Sequence, residues 1–340
     1  VEFPSPNTNK PLHLGHLRNM ALGDSISRIL ETQGETVKRI NLNNDRGIHV
    51  CKSMLAYQKY GNNKEPDKKS DHFVGEYYVM FAKKANKELE EEAQEMLRQW
   101  EANDPETIKL WKKMNTWAFK GFKETFQRFG IKFDKEYYES KTYSKGKDIV
   151  KENEQKGLFK KDETGATLID LGEKLGEKIL LRSDGTSVYI TQDIYLAQLK
   201  HDDFKYHKSI YVVGNEQNYH FQVLFKILKL LQYPFADNCF HLSHGMVNLP
   251  EGKMKSREGT AVDADDLMDN LEDLALKEIK ERNIAKQQNT LAKKISIGAL
   301  KYYLLKYSAH KDFTFNTKES VSFEGDTGPY IQYTHARSCS

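Results

Sequence analysis

Residues 5–19 read SPNTNKPLHLGHLRN, and they place two histidines, His13 and His16, at the start of an amphipathic run. Apolar residues recur at helix spacing through residues 16–33. Gly34 follows at a position where glycine commonly ends a helix. The stretch therefore predicts an extended lead-in, a helix that begins at the histidines, and a chain that turns after residue 33.

The HLGH tetrapeptide has three possible interpretations. A helix N-terminus attracts anions through its unpaired N–H groups and its dipole, and two histidines one turn apart can donate to the same phosphate. Gly15 removes a side chain where a flat ring or a phosphate must approach the backbone. A metal would need a third ligand, which the nearby sequence does not signal, so phosphate binding is favoured over a metal site. Two ordinary polar histidines remain the third interpretation, because a four-letter match is weak evidence.

The rest of the chain alternates strands and helices on both sides of a helical stretch. Residues 36–43 predict a strand and residues 48–60 a helix. Residues 72–130 are helical in pattern throughout. The alternation resumes with SVYI (187–190), a predicted strand before a helix, and with the buried-type strand SIYVVG (209–214). This order predicts an α/β fold with a doubly wound, Rossmann-like parallel sheet, split by a mostly helical insertion and followed by an α-helical C-terminal segment.

The composition limits the class of protein. Hydrophobic residues make up 38% and charged residues 30% of the 340 residues, and the formal net charge is only +3. No run approaches the roughly 20 apolar residues of a membrane span, and no signal peptide opens the chain. Cys51, Cys239 and Cys339 are widely spaced, which disfavours a disulfide framework or a cysteine zinc site and fits a cytoplasmic location.

With its context, HLGH resembles the HIGH signature of class I aminoacyl-tRNA synthetases. The partner signature of that class is a lysine-containing KMSKS loop after the last strand of the sheet, and GKMKSREG (252–259) resembles it. Taken alone, residues 252–259 would be interpreted as an exposed lysine-rich hairpin. Two such motifs in the right order, flanking a split α/β sheet, form a much stronger joint signal.

Longer blocks resemble the arginyl-tRNA synthetase family in particular. They are VEFPSPNTNKPLHLGHLRN, LRSDGTSVYITQDIYLA, YVVGNEQNYHFQ, HGMVNL with GKMKSREGT, and EGDTGPYIQYTHAR. The resemblance implies ATP-dependent attachment of arginine to its tRNA through an arginyl-adenylate. It implies arginine, ATP and tRNA(Arg) as partners, Mg²⁺ carried by ATP, no tightly bound metal, no membrane, and a monomer.

The resemblance also implies the domain organisation. A tRNA-binding domain would precede residue 1, and most of a helical anticodon-binding domain would follow residue 340. The expected boundaries are 1–61 for the first half of the catalytic fold, 62–182 for a connective insertion, 183–250 for the second half, 251–325 for the signature loop and stem helices, and 326–340 for the start of the anticodon-binding domain.

Arginine recognition requires carboxylates that can bind a planar, permanently charged guanidinium, preferably beside an aromatic face. Asp193 is expected to begin the helix after SVYI, where α/β proteins bind ligands, with Tyr189 on the last turn of the strand. Taken alone, Asp193 would be a helix-cap aspartate. The family's guanidinium-binding residues match Asp193 and Tyr189, and its further substrate contacts match Glu2, Asn7 and Gln217. Asn7 and Gln217 would hold the α-amino and carboxylate groups, although such polarity is also common in loops.

The family's ATP-binding positions match His13, Gly15, His16, the backbone around Gly245, Met246 and Val247, Lys253 and Ser256. In the usual KMSKS signature the fourth position is a lysine that stabilises the transition state, and here it is Ser256. Some family members lack that lysine, and a lysine just upstream of the HIGH signature is thought to replace it. Lys10 matches that lysine. We therefore expect catalysis to depend on Lys10, His13 and His16, helped by Lys253, Lys255 and Arg257.

Two alternatives remain open from the sequence. One is another class I synthetase or a smaller H-x-G-H adenylyltransferase, although the latter would need neither the helical insertion nor the EGDTGPYIQYTHAR block. Activation of cysteine or glutamate would not call for Asp193 beside Tyr189. The other is a non-catalytic RNA-binding relative, against which stand the intact residues Lys10, His13, Gly15 and His16.

Overall fold

The computed structural model describes residues 1–248, 262–281, 287–322 and 324–340. The chain forms two compact units, and each is assembled from segments that are distant in sequence. The first unit contains Val1–Ser5, Ile40–Asn44 and Lys135–Ser243. The second contains Pro6–Arg39, Asp45–Asp134 and His244–Ser340. The five domain boundaries expected from the sequence stay a prediction.

Strands and helices alternate along the described chain. The strands are β1 (Ile40–Asn43), β2 (Lys135–Tyr138), β3 (Lys160–Lys161), β4 (Thr167–Asp170), β5 (Glu177–Leu181), β6 (Ser209–Gly214), β7 (Cys239–His244), β8 (Val247–Asn248) and β9 (Phe313–Thr314). The helices are α1 (Leu14–Thr32), α2 (Ile48–Tyr60), α3 (Ser70–Lys84), α4 (Lys87–Glu101), α5 (Pro105–Phe129), α6 (Glu139–Gln155), α7 (Tyr189–Phe204), α8 (Asn218–Leu230), α9 (Ala264–Glu281), α10 (Gln288–Leu305), α11 (Thr317–Ser320) and α12 (Gly328–Cys339). None of the helices that the structure describes is both long and apolar enough to cross a bilayer.

The sheet of the first unit has the N-terminal segment at its centre. Glu2 pairs in parallel with Ile40 of β1 on one side and with Tyr211 of β6 on the other. Beyond these, β2 pairs in parallel with β1, and β7 neighbours β6. The order across the sheet is β2, β1, the N-terminal segment, β6 and β7, which is 3-2-1-4-5 in chain order. This is the strand order of doubly wound nucleotide-binding folds, so the predicted fold class is confirmed.

Helices of the first unit pack against this sheet through a buried apolar cluster. The cluster includes Ile194 of α7, Tyr211 of β6, and Leu224 and Ile227 of α8. Between α6 and α7 the backbones approach closely, because a Cβ on Gly146 would lie 2.4 Å from the carbonyl oxygen of Thr191. The antiparallel sheet β3–β4–β5 completes the unit.

The sequence predicts a strand over residues 187–190, and this prediction is wrong. Val188 is the N-cap of α7, and Tyr189 is the first residue of that helix. Of the predicted strand, only Ser187 forms a bridge, which joins it to Leu181. A short run of β-branched and aromatic residues does not distinguish a strand from the first turn of a buried helix, and here the packing of α7 decides for the helix.

The second unit begins with α1, which runs close to the predicted span. Gly34, with φ of +88°, adopts the left-handed conformation expected of a glycine after a helix. The predicted helical stretch 72–130 is present as α3, α4 and α5. These helices and α2 share a buried core that includes Met54 and Phe73.

A buried ionic cluster joins α3, α5 and the start of α9. The ammonium of Lys69 lies 2.8 Å from both oxygens of Asp71, 2.8 Å from the Thr125 hydroxyl and 3.0 Å from Asp265 Oδ2. Asp71 is fully buried, and its carboxylate lies against the backbone of α5. A Cβ on Gly121 would come within 2.1 Å of Asp71 Oδ1, so α5 needs glycine at this position.

We predict that Gly121→Ala destabilises the protein, although glycine-to-alanine changes inside helices ordinarily stabilise by about 1 kcal/mol. The added methyl group must push Asp71 away from Lys69, which should lower the free energy of unfolding by about 2–4 kcal/mol. Urea unfolding followed by circular dichroism measures this change. The matched control is Lys120→Ala on the exposed face of the same helix, which should be nearly neutral. A more stable Gly121→Ala protein would contradict the proposed packing.

Candidate active site

His13 and His16 close the N-terminus of α1 with a reciprocal pair of hydrogen bonds. His13 is the N-cap, and its Nδ1 accepts from the N–H of Gly15 at 3.2 Å. Nδ1 of His16 accepts from the N–H of His13 at 3.1 Å, and the ring centroids are 3.9 Å apart. A Cβ on Gly15 would lie only 3.0 Å from the His13 ring. The flat ring that Gly15 admits is therefore the imidazole of His13 itself.

These bonds fix the protonation of both rings. Because each Nδ1 accepts a hydrogen bond, the proton of each neutral imidazole lies on Nε2. Desolvation, reinforced by the ammonium of Lys10, lowers the pKa of His13 to about 3. Desolvation, with the added influence of His13 and Lys10, holds the pKa of His16 well below its usual value. At pH 7 both rings are neutral Nε2–H donors, which suits them to bind an anion.

The backbone before α1 pairs with the residues that follow the signature-like loop. His13 forms an antiparallel bridge with Asp263. The N–H of Leu14 donates to the Val262 carbonyl, and the N–H of Ala264 donates to the Leu12 carbonyl, both at 3.0 Å. Four predicted site residues belong to that loop and lie outside the described residues. They are Ser256 and the three residues expected to help catalysis, Lys253, Lys255 and Arg257.

A cavity of about 540 Å³ opens beside this pairing. It is lined by residues 10–13, by His72, Gly75 and Glu76 of α3 with their neighbours, and by Asp263 and Asp266. The cavity thus exposes Lys10 and His13 to the same space. Of the three described residues that the sequence assigned to the phosphates, Lys10 and His13 line this cavity, and the ring of His16 lies 3.9 Å from that of His13 within the same unit.

The predicted adenine-binding backbone at residues 245–247 already has partners within the protein. The N–H of Gly245 donates to the Ala309 carbonyl at 2.8 Å. The N–H of Met246 donates to Asp312 Oδ1 at 2.7 Å, and β8, which contains Val247, pairs in parallel with β9. An adenine that used the Met246 N–H would compete with Asp312. The adenine contact at Gly245, Met246 and Val247 stays a prediction.

Arg18 is a residue of this unit that sequence reasoning missed. Its guanidinium is fully buried and donates to the carbonyl of Leu304 at the end of α10, to that of Ser308 at 3.1 Å and to that of Ala309 at 3.3 Å. Burial lowers its pKa to about 10, which leaves it charged at pH 7. Arg18 therefore ties the histidine helix to the turn that also holds Gly245. The sequence feature that could have identified Arg18 is a charged residue within the amphipathic run of α1.

Asp193, the predicted guanidinium ligand, lies in the second turn of α7 in the first unit. It is not a cap, because the N-cap of α7 is Val188, so the cap interpretation is wrong. Its Oδ2 accepts from Nε2 of His220 at 2.7 Å, a partner that the sequence analysis did not identify. Tyr189 lies one turn before Asp193 on the same helix, not on a strand, and the residue is 62% exposed. Gln217 is exposed in a short 3₁₀ turn after β6.

Glu2, the other predicted carboxylate of the pocket, has a buried cation as its partner. Its Oε2 lies 2.7 Å from Nζ of Lys200, and both side chains are buried. The same ammonium lies 3.7 Å from the centre of the Tyr211 ring. Burial above all, followed by nearby charges that include Glu2 and Asp193, raises the pKa of Tyr211. The roles of Glu2 and of Asn7, which is exposed in the second unit, stay predictions.

One group of side chains in the described residues has metal-ligand character, namely Asp71, His72 and Asp265. The ammonium of Lys69 lies between the two carboxylates and supplies their positive charge. His72 also pairs with Asp263 and Asp265, both at 3.3 Å. Lys69 and His72 thus give these carboxylates partners within the protein.

Comparison with known proteins identifies the family. Residues 1–317 match the family model described as tRNA synthetases class I (R), catalytic domain. The chain belongs to this family. Among curated members of this class I (R) synthetase family, the arginine–tRNA ligase of Treponema denticola is 56% identical over 351 residues, covering 100% of this chain and 60% of that protein. The arginine–tRNA ligase of Bacteroides thetaiotaomicron is 50% identical over 365 residues, covering 99% of this chain and 61% of that protein.

A solved class I (R) synthetase supports the fold. The arginyl-tRNA synthetase of Thermus thermophilus superposes with a TM-score of 0.82 at 26% identity, covering 99% of this chain and 63% of that one. The predicted family and the predicted fold class are thus confirmed. The chain spans about three fifths of the length of the curated relatives it matches.

The geometry of the histidine pair predicts an unusual effect of pH on stability. Asparagine can replace the accepting Nδ1 of His13, so His13→Asn should preserve the cap, whereas His13→Ala should cost about 1 kcal/mol. His13 has this low pKa only in the folded protein. As the pH falls below about 6.5, the unfolded chain therefore binds a proton at His13 while the folded protein does not. Between pH 7 and pH 4, wild type should therefore lose about 3 kcal/mol of stability relative to His13→Asn.

Urea unfolding of the two proteins across this pH range measures the difference. Both retain His16 and every other titrating group, so His13→Asn is the matched reference. Parallel stability profiles for the two proteins would show that His13 titrates normally and that the capping geometry is wrong.

Proposed function

We propose that this chain is the catalytic core of an enzyme that uses ATP to attach arginine to tRNA(Arg) through an arginyl-adenylate. The observation that carries the proposal is the neutral imidazole of His13 beside Lys10 in one cavity, with the second neutral imidazole, that of His16, 3.9 Å from the His13 ring. Membership of the class I (R) family supports the choice of reaction and of amino acid.

The reaction has two steps. The carboxylate of arginine attacks the α-phosphate of ATP in line and expels pyrophosphate, which gives the mixed anhydride. A ribose hydroxyl of the terminal adenosine of the tRNA then attacks the anhydride carbonyl and expels AMP. Such transfers depend on positioning and charge stabilisation, with no covalent nucleophile from the protein. Mg²⁺ accompanies ATP as part of that substrate.

The proposed phosphate-binding residues make two kinds of contribution, directional hydrogen bonds and positive charge. The two neutral imidazoles donate directional hydrogen bonds from Nε2 and bring no net charge, because Lys10 and desolvation keep them unprotonated. Lys10 supplies the positive charge that the developing phosphate oxygens require. The helix dipole of α1 adds to the same field. Lys253, Lys255 and Arg257 complete the set from the signature-like loop.

Arginine would be recognised by the residues of the first unit. Oδ2 of Asp193 is held by His220, and the rest of the carboxylate is available to a guanidinium. Tyr189 presents its exposed ring one turn away. Glu2 and Gln217, of the same unit, make further substrate contacts. Lysine is rejected because its ammonium cannot reproduce the planar hydrogen-bond pattern of the guanidinium.

We predict that Lys10→Ala lowers the rate of arginyl-adenylate formation far more than Lys255→Ala does. The loss at Lys10 should be about 10²–10³-fold, because a preorganised donor to the reacting phosphate is removed, and the loss at Lys255 less than about tenfold. ATP–pyrophosphate exchange, with full-length protein and tRNA(Arg) present, measures both rates. Lys68→Ala, another lysine of the same cavity, is the control. Equal and mild losses at Lys10 and Lys255 would contradict the assignment of Lys10.

The substrate itself is tested by isothermal titration of arginine and lysine. Wild-type protein should bind arginine at least about 10³-fold more tightly than lysine, because the guanidinium pairs with Asp193. Asp193→Asn should weaken arginine binding about 10²-fold and reduce this discrimination. Asp202→Asn, an exposed carboxylate on the same helix, should leave both affinities unchanged. Failure of wild type to prefer arginine would favour a different class I synthetase or a non-catalytic relative.

A further inference from the structure

The imidazole of His220 pairs with the carboxylate of Asp193, and the proposed reaction gives this histidine no role of its own. Nε2 of His220 lies 2.7 Å from Asp193 Oδ2, a short distance for this type of hydrogen bond. The side chains are 26% and 23% exposed, so the pair is partly desolvated. His220 lies in the first turn of α8, and Asp193 lies in the second turn of α7.

Among the described residues, the titratable groups that face His220 are on α7 and β7. Asp193 on α7 is the carboxylate that faces it. His241 on β7 is the other titratable neighbour; desolvation lowers the pKa of His241, and the charge of His220 lowers it further. His241 is itself fixed, because its Nε2 lies 3.0 Å from the Val213 carbonyl oxygen and its ring packs 4.3 Å from that of Phe221.

Asp193 therefore decides the charge on His220 in the ligand-free protein. Desolvation lowers the pKa of His220, but the hydrogen bond and the charge of Asp193 outweigh it, so the pKa is raised above its ordinary value. At pH values below that raised pKa, the imidazolium is the cation that balances the partly buried carboxylate. Without such a partner, the carboxylate would have to remain desolvated and unpaired.

We propose that His220 is the positioning residue for arginine: it holds the Asp193 carboxylate in place and releases a proton when the guanidinium binds. This inference rests on the proposed function, in which Asp193 is the guanidinium ligand. The guanidinium carries the same sign of charge as the imidazolium and competes for the same carboxylate. The proton on Nδ1 of His220 passes to solvent, and Nε2–H continues to donate to Oδ2.

The same bond contributes to specificity. A hydrogen bond to Oδ2 fixes the plane of the carboxylate, and a planar guanidinium depends on that plane for bidentate binding. An ammonium, which acts as a compact point charge, depends on it much less. Loss of His220 should therefore weaken the binding of arginine more than that of lysine.

Calorimetric titration of arginine into full-length protein, in two buffers of different ionisation enthalpy, counts the protons released. We expect wild type to release up to one proton per arginine at pH values below the raised pKa of His220. Because that proton must be lost for binding, the Kd for arginine should rise as the pH falls, by at most about tenfold per pH unit.

Two variants separate positioning from titration. Glutamine can place an amide N–H near the position of Nε2 but cannot titrate. His220→Gln should therefore bind arginine within about threefold of wild type at high pH, with no proton release and a flat pH profile. His220→Ala should bind about tenfold more weakly at high pH. His207→Gln, at an exposed histidine of the same unit, is the control and should retain the wild-type proton release.

The outcomes distinguish this inference from the proposed function. If wild type binds arginine with the same proton release as His220→Gln, the inference is overturned and the proposed function stands. If wild type does not bind arginine, both are overturned. Should the variants fail to fold, the His220 resonance of wild type decides by nuclear magnetic resonance. Its pKa must fall when arginine is added, and an unchanged pKa overturns the inference.

Discussion

The first unit depends on a short segment at the start of the chain that forms backbone hydrogen bonds along both of its edges. The N–H of Glu2 donates to Ile210, and the Glu2 carbonyl accepts from Val212. On the other edge, Phe3 donates to the Ile40 carbonyl, and Ile40 donates to that of Val1. Without this segment, β1 and β6 would have no common neighbour, and two halves of the sheet would each present an unpaired edge. The same segment defines the point at which the strand order reverses, where doubly wound folds bind their ligands.

Both predicted carboxylates of the arginine pocket already have a basic side chain as partner in the protein. Glu2 pairs with the buried ammonium of Lys200, and Asp193 pairs with His220. A carboxylate that is partly or fully removed from water needs such a partner, because an unpaired buried charge is strongly destabilising. The two partners differ in one respect that matters for binding. A histidine can give up its proton near neutral pH, whereas a lysine paired with a carboxylate keeps its charge.

In the second unit, the histidine pair caps α1 through one nitrogen of each ring, and the proposed phosphate binding would use the other nitrogen. Nδ1 of each ring closes the N-terminus of α1, and Nε2 of each ring is left with the proton. The capping bonds thereby set the tautomer that an anion site requires. Arg18, two residues after His16, anchors the same helix to the end of α10. His13 and His16 therefore lie at the start of a helix that is held in place both by its capping bonds and along its buried face.

The sequence by itself determined the family, the fold class and most of the helices and strands. Motif order, the spacing of apolar residues, and glycines such as Gly34 are local signals, and they were sufficient for α1, α3–α5 and β6. It also identified Lys10 and His13, which line one cavity. The roles of Lys253 and Lys255 stay predictions, because these residues lie outside the described part of the chain.

Tertiary structure alone decided which residues become partners. Lys200 is 198 residues from Glu2, and Arg18 is 286 residues from Leu304, so no periodicity or motif could connect them. Tyr189 had the local character of a strand residue, but the packing of α7 placed it in a helix. The physical reason is that strand order, burial and charge pairing depend on contacts between distant segments, whereas sequence patterns report only the preferences of neighbours along the chain.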